Sequence, residues 1–378
     1  MRCRRASSLA AVAAIAMAAG APAAAEGFRP AQPGHAWTFP RDHWAARAYR
    51  NEWWYFTGNL VAVDEPSRAL GFQLTFFRVG FLPEKQPLAS AWATSGAVMA
   101  HAAITDVATG EHRFSEVLWR EMPLLGGFGA YPDPVIAWAK PPPGTDGRWS
   151  LRWTGSGFEL GMRDDGRDMA IALSASPRKP VALQGPGGFS RKSNAPGHAS
   201  LYYSITRLDA EGTISVAGRE WRVRGDAWMD REMGSSQLAP GQVGWDWWSL
   251  QLADGRDLML YRLRRADGTV DFAYGTVVDA DGTTRFLEPG GWESRATSTW
   301  RSPRTGAEYP AAWKITVPRE KIDISVEPRV AAQENVARLA GGLFYWEGAV
   351  RVRDAGGNDA GQGYVELTGY GRGNRPPL

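Results

Sequence analysis

Asn51-Glu52-Trp53-Trp54-Tyr55-Phe56-Thr57-Gly58-Asn59-Leu60, with Gly71-Phe72-Gln73-Leu74-Thr75-Phe76-Phe77-Arg78 close behind it, decides the fold. Both runs are rich in aromatic and β-branched residues and lack the three-to-four-residue spacing of an amphipathic helix. Read as a strand, the first places Glu52, Trp54 and Phe56 on one face and Trp53 and Tyr55 on the other. Neither face is polar, as suits a strand buried on both sides. Glu52 is then either a structural hydrogen-bond or ion-pair partner or a group that touches a ligand beside Trp54. The pattern returns later in the chain. Trp53-Trp54 leads through Leu60 to Gly71, Leu74 and Arg78, and Trp247-Trp248 leads through Leu252 to Gly255, Leu258 and Arg262. Trp54 and Trp248 stand 194 residues apart, about half the chain, which points to two related β halves. In a chain with 18 tryptophans two such pairs also arise by chance.

Working outward, short alternating runs recur between Asx-Gly turns at Asp146-Gly147, Asp165-Gly166, Asp254-Gly255, Asp267-Gly268 and Asp281-Gly282. The runs predict strands near 53–63, 70–78, 97–106, 149–153, 158–162, 169–174 and 201–208. A second series falls near 213–223, 226–232, 245–252, 257–264, 269–279, 312–317, 322–327, 346–353 and 364–370. One helix is expected at 331–340, ended by Gly341-Gly342. Residues 183–197, dense in Gly, Pro and Ser, read as a long loop, and the division between halves is placed after 208, giving units 26–208 and 209–378. The class is all-β, two antiparallel barrels or sandwiches with few short helices, and barrels of this size have interiors wide enough for a small ligand.

The first 25 residues read as a leader for export: Arg2, Arg4 and Arg5 precede an apolar run from Leu9 to Ala19 and a small-residue site at Ala23-Ala24-Ala25. A periplasmic or secreted location is expected, with no membrane-spanning segment, because no apolar run is long enough. The single cysteine, Cys3, lies in that leader, so disulfides and thiol chemistry are not expected. The formal charge of +3 is that of the leader's three arginines, leaving as many basic as acidic groups and no basic stripe for nucleic acid. No G-x-S-x-G elbow, H-E-x-x-H helix, Walker loop or G-x-G-x-x-G turn is present, and the five histidines are scattered. Neither a metal nor another cofactor is predicted.

The most informative segment for chemistry is Gly225-Asp226-Ala227-Trp228-Met229-Asp230-Arg231-Glu232-Met233. Period two aligns Asp226, Trp228, Asp230 and Glu232 on one face, opposite Ala227, Met229, Arg231 and Met233. A plain solvent face is one reading, although an indole amid carboxylates suits it poorly. The other is an acid held against aromatic walls, whose desolvation keeps it protonated near neutral pH. Such an acid could protonate an electron-rich double bond, and indole faces would stabilise the cation formed. Asp230, central in the row, is the candidate acid, with Trp228 and Glu232 beside it. His101, among small apolar residues, is a core histidine or a pocket group. Tyr202-Tyr203-Ser204 and Gly244-Trp245-Asp246-Trp247-Trp248 supply amphipathic aromatic surface for either core or ligand, with Tyr203, Trp245 and Trp247 as the candidate contacts.

Together, 51–60, 71–78, Tyr202-Tyr203-Ser204, 227–232, 244–250, Tyr345-Trp346-Glu347-Gly348 and 363–370 resemble the AttH and carotenoid 1,2-hydratase (hydroxyneurosporene synthase) family along nearly the whole chain. The resemblance implies tandem lipocalin-like domains. It also implies either addition of water to a carbon–carbon double bond without a redox cofactor or the unassigned role of exported AttH-type proteins associated with ABC transporters. Arg231, Met233 and Ala46 stand where members of that family carry histidine, tryptophan and histidine, which removes proton-transfer partners. Two functions follow as expectations: a hydro-lyase acting on an isoprenoid or similar alkene, with Asp230 as acid, or a non-catalytic periplasmic carrier of a lipophile. A secreted hydrolase is the third, resting on export and the available Ser, His and Asp side chains.

Overall fold

The computed structural model describes residues 27–83, 90, 92–371 and 373–376; the leader reading at 1–25 lies outside them. The first sheet holds β1 (Asn51–Ala62), β2 (Ala69–Gly80), β3 (Gly96–Asp106), β4 (Glu111–Arg120), β5 (Gly126–Phe128), β6 (Val135–Ala139), β7 (Trp149–Trp153), β8 (Phe158–Asp164), β9 (Met169–Pro177), β10 (Ala182–Leu183), β11 (Phe189–Arg191), β12 (Ala199–Val216) and β13 (Arg219–Ser236). The second holds β14 (Gln242–Leu252), β15 (Asp257–Arg265), β16 (Val270–Val278), β17 (Thr284–Leu287), β18 (Glu293–Arg301), β19 (Glu308–Val317), β20 (Ile322–Pro328), β21 (Glu334–Ala337), β22 (Leu343–Asp354) and β23 (Asp359–Leu367). Three short 3-10 turns are the only helical elements among the described residues.

The two sheets follow one plan. In the first the order is β4-β3-β2-β1-β13-β12-β9-β8-β7-β6-β5, so β4 and β5, consecutive in the chain, stand at opposite ends. Because β3 also contacts β5 and β6, the sheet curls until its ends approach, as in a lipocalin-like barrel. The second order, β17-β16-β15-β14-β23-β22-β20-β19-β18, again separates two consecutive strands to the two ends. In each, the strand carrying the Trp-Trp pair lies between its hairpin partner and the last long strand of its sheet. The repeat read from Trp54 and Trp248 is thus a repeat of topology.

Alternation fills each curved sheet with its own side chains. Trp54, Phe56, Phe72, Phe76, Trp149, Phe158, Tyr203 and Met229 belong to one buried cluster, and Trp248, Trp292, Trp313 and Trp346 to another. The barrel interiors, expected as ligand cavities, are packed cores. The sheets meet instead through their outer faces. Gly71 comes so close to Ala349 that a Cβ on it would lie 2.8 Å from the Ala349 Cβ. Asn59 Nδ2 donates to the Gly363 carbonyl at 2.9 Å. Buried Asp257 of the second sheet accepts from Lys179 (2.6 Å) of the β9–β10 connection and from Thr206 (2.7 Å) and Arg207 (2.8 Å) of β12.

Several elements differ from the sequence expectations. The stretch 331–340 is not a helix: Glu334–Ala337 is β21, paired with β22. Its polar side chains explain the extended form. Glu334 accepts from Ser302 (2.5 Å), Thr305 (2.6 Å) and Tyr309 (3.0 Å), while Asn335 donates to Glu347 through Nδ2 and accepts from His112 Nε2 through Oδ1 (2.8 Å). The run expected as one strand at 213–223 is a hairpin, turning at Ala217-Gly218, where both residues have positive φ (54° and 71°). Residue 208 falls inside β12, and the chain passes to the second sheet only over 237–241. A division placed at 208 follows the Gly-rich loop before it, whereas the long β12–β13 hairpin closes the first sheet against β1.

Candidate functional site

Where the outer faces of the two sheets diverge, they leave a pocket with a cavity volume of about 100 Å³, open at its mouth. From β1 and β2 come Trp53, Tyr55, Gln73, Thr75 and Phe77, all on the faces opposite the first core. The β12–β13 hairpin supplies Tyr202, Asp230 and Glu232, and the loop before β12 supplies Lys192. Facing them are Trp245, Trp247, Tyr261 and Leu263 of the β14–β15 hairpin, and Tyr345, Glu347 and Glu366 of β22 and β23. Tyr55 and Trp247, on strands that correspond in the two halves, meet edge to face with ring centres 5.2 Å apart.

Asp230 sits in this wall as the alternation predicted. Its Oδ1 accepts from Ser204 (2.5 Å) and the Trp228 indole N–H (2.7 Å), and its Oδ2 from the Tyr202 hydroxyl (2.5 Å). Tyr202 in turn accepts from the Trp247 indole at 3.2 Å. Burial pushes the Asp230 carboxyl up to about 7 against the pull of those three donors, and neighbouring Glu232 adds to the rise. The carboxyl is therefore poised to give or take a proton near neutrality. Glu232 is paired with Lys192, Nζ to Oε1 2.7 Å, and also accepts from Ser200.

Opposite stand two further carboxyls. Glu347 and Glu366 are register partners on β22 and β23, so both side chains emerge on one face. Burial lifts Glu366 to about 7, with Asp230 and Glu232 raising it further, while the Trp245 indole donates to its Oε2 at 2.8 Å. Burial, then the neighbouring Glu366, holds Glu347 well above the usual carboxylate range; Asn335 donates to its Oε2 at 3.2 Å.

The structure sorts the sequence candidates by face. Asp230, Glu232, Trp245 and Trp247 line the pocket, and Trp228 lies directly behind Asp230. Glu52, Trp54 and Tyr203, expected as ligand contacts, point the other way, into the first barrel. Glu52 bonds Arg78 (2.8 Å) and Arg231 (2.5 Å), and the Arg231 guanidinium lies 4.1 Å from the centre of the Trp54 ring. Tyr203 bonds His43 Nδ1 at 2.6 Å. Adjacent residues of a strand face opposite sides, so Tyr202 takes the place expected for Tyr203, and Trp53 and Tyr55 that of Trp54. His101 is one bond behind the wall: its Nδ1 lies 2.7 Å from the Tyr345 hydroxyl, and burial lowers its pKa to about 3, so it is neutral. Glu347 and Glu366 went unassigned although both lie in quoted motifs; the signal was an acidic residue inside an otherwise aromatic or apolar strand. No group of three or more His, Cys, Asp or Glu side chains is arranged to hold a metal ion among the described residues. None of their helices is long and apolar enough to cross a membrane.

Comparison with known proteins bears on the whole of this arrangement. The family profile described as AttH-like matches residues 30–370. The crystal structure of an AttH candidate from Nitrosomonas europaea is similar at a TM-score of 0.79 and 34% identity, covering 91% of this chain and 99% of that one. Kievitone hydratase from Nectria haematococca shares the fold at a TM-score of 0.63 and 13% identity, with 90% of this chain and 97% of that chain covered. No curated protein sequence matches the chain.

Proposed function

The chain belongs to the AttH-like family, and from that premise we propose that it is an exported, cofactor-independent hydro-lyase that adds water to a carbon–carbon double bond of an apolar or amphipathic molecule, isoprenoid or lipid-like, in the pocket between its two sheets. The observation that carries the reading is Asp230, a carboxyl with a pKa of about 7 facing an aromatic pocket. The hydratase named among the fold's neighbours supports the reaction class.

In the proposed reaction protonated Asp230 gives its proton to one alkene carbon, so a C–H bond forms as the π bond breaks. The positive charge left on the other carbon faces the rings of Trp245 and Trp247. Water attacks that carbon, and a carboxylate, Asp230 or Glu366, takes the proton that water releases. The products balance without oxidant or reductant. The reverse sequence is dehydration by the same groups.

A non-catalytic periplasmic lipophile carrier is the second reading, favoured by the aromatic and aliphatic side chains that make up most of the pocket wall. The hydrolase reading has no serine–histidine pair in the pocket: among the described residues no histidine bonds to Ser204 or Asp230, and Ser236, which meets His198 Nδ1 at 3.2 Å, does not line it. The test is incubation of the mature protein with acyclic isoprenoid alkenes in ¹⁸O-labelled water, followed by mass spectrometry. Labelled alcohol is expected, and Asp230→Asn should lower its rate about 100-fold or more while leaving lipophile affinity in place. Absence of product across the alkenes, or an unchanged rate in the variant, contradicts the hydratase; lipophile binding without product is the carrier's signature.

A further inference from the structure

The pocket contains one complete site for an ammonium ion, and its own lysine fills it. Lys192 Nζ pairs with Glu232 at 2.7 Å and lies 5.1 Å and 4.4 Å from the ring centres of Tyr202 and Tyr261. Such a combination of carboxylate and aromatic faces is how proteins recognise organic cations.

The opposite wall repeats the combination without a cation. Glu347 and Glu366 share one face, bordered by Tyr55, Tyr345 and Trp245. No lysine or arginine among the described residues forms an ion pair with either of them or with Asp230. Polar atoms aimed at this wall are also unpartnered. Glu347 Oε1 is one, on a side chain only 1% exposed, and Gln73 Oε1 is another, while the Tyr55 hydroxyl faces Glu347. A buried carboxyl short of donors is held in its acid form, and a ligand that brings a positive charge favours the ionised form instead.

We propose that this wall receives an organic cation: an ammonium group carried on an apolar body seats between the Glu347–Glu366 pair and the rings of Tyr55, Tyr345 and Trp245. A bare metal ion is the poorer fit, because the carboxyls do not converge as a ligand set. The inference rests on the pocket being the ligand site and extends the proposed reaction, since an ammonium ion is the stable counterpart of the carbocation formed there.

Proton linkage gives the proposal a second consequence. The groups facing the pair are Tyr55 from β1, Tyr202 from β12, Asp230 and Glu232 from β13, Lys192 from the preceding loop, Tyr261 from β15, Tyr345 from β22 and Tyr364 from β23. Of these the tyrosines are held neutral by burial, so the carboxyls are the groups that respond. An arriving cation favours their ionised form, and a carboxylic acid releases its proton to the buffer as the ligand seats.

The experiment titrates the full mature chain with phenylpropyltrimethylammonium and with its neutral isostere, in which a tert-butyl group replaces trimethylammonium. The ammonium is expected to bind about tenfold or more tightly near pH 8, with the margin shrinking toward about pH 5. Calorimetry near pH 7 in buffers of different ionisation enthalpy should register proton release on binding of the ammonium alone. Glu347→Gln and Glu366→Gln should each reduce the ratio of ammonium to isostere affinity, and the wild-type comparison stands even where a variant does not fold. Equal affinity for the two probes, or ammonium binding without proton release, overturns the proposal. Alkene turnover is measured apart from these titrations, so a cation preference without turnover removes the hydratase, and turnover without the preference removes this inference.

Discussion

Buried Arg231 shows how far a single residue's role depends on a distant partner. Alternation along β13 places it on the core face, where an uncompensated guanidinium would be costly. Glu52, on neighbouring β1, resolves this by accepting from both Arg231 and Arg78, while the Trp44 and Glu232 carbonyls also accept from Arg231 and the Trp54 ring lies against its guanidinium. That the arginine faced inward was legible from the sequence; that its counter-ion lay 179 positions away was not, because only strand pairing brings Trp54 opposite Arg231. Glu52→Gln should therefore destabilise the protein by about 3–5 kcal/mol in denaturant titration, since it strands two buried guanidiniums, with no change in the affinity of pocket ligands. A loss under about 1 kcal/mol would mean that the pair is dispensable. The same alternation decided the tyrosines. The dipeptide Tyr202-Tyr203 offers a ring to each face, and nothing in the two residues themselves says which side holds the pocket.

At the scale of elements, most long strands and most turns could be read from short-range pattern; β4, β6, β17 and β18 fall outside the expected strands, and two further departures have a traceable cause. Positive φ occurs at Gly147, Gly255, Gly268 and Gly282, as four of the five Asx-Gly signals required; in the turn at Asp165-Gly166 the left-handed residue is Asp168, and the β12–β13 turn uses Ala217 before Gly218. Alanine carries no turn signal, so the hairpin was read as one strand. An alanine in the left-handed region costs about 1–2 kcal/mol, which asparagine tolerates better. Ala217→Asn should raise stability by about 0.5–1 kcal/mol in thermal or denaturant unfolding; a decrease would contradict the turn geometry. β21 was misread for a related reason. Its residues have moderate helix propensity, and tertiary bonds to Glu334 and Asn335 from strands elsewhere in the chain outweigh it.

For the whole molecule, the two-part β architecture was visible in the recurring Trp-Trp runs, whereas the placement of the site was not. Each core is complete in itself, so the outer faces of β1, β2, β12 and β13 are free to meet those of β14, β15, β22 and β23, and the carboxyls of both halves share one buried space. That sharing links stability to pH. Glu366, raised by burial from 4.5 to about 7, keeps in the folded chain a proton that the unfolded chain has already released, so its contribution falls as pH rises through that window. The stability of Glu366→Gln relative to wild type should consequently grow between about pH 5 and about pH 8, read as a widening difference in melting temperature; a constant difference would show that the carboxyl is not buried as described. The central claim, that ligands bind between the sheets and not inside the barrels, is tested most directly by a crystal of the protein with a bromine-labelled acyclic isoprenoid. An anomalous bromine peak is expected in the pocket bounded by Asp230, Trp247 and Glu366; a peak within the first core, beside Trp54 and Tyr203, would put the ligand inside the barrel instead.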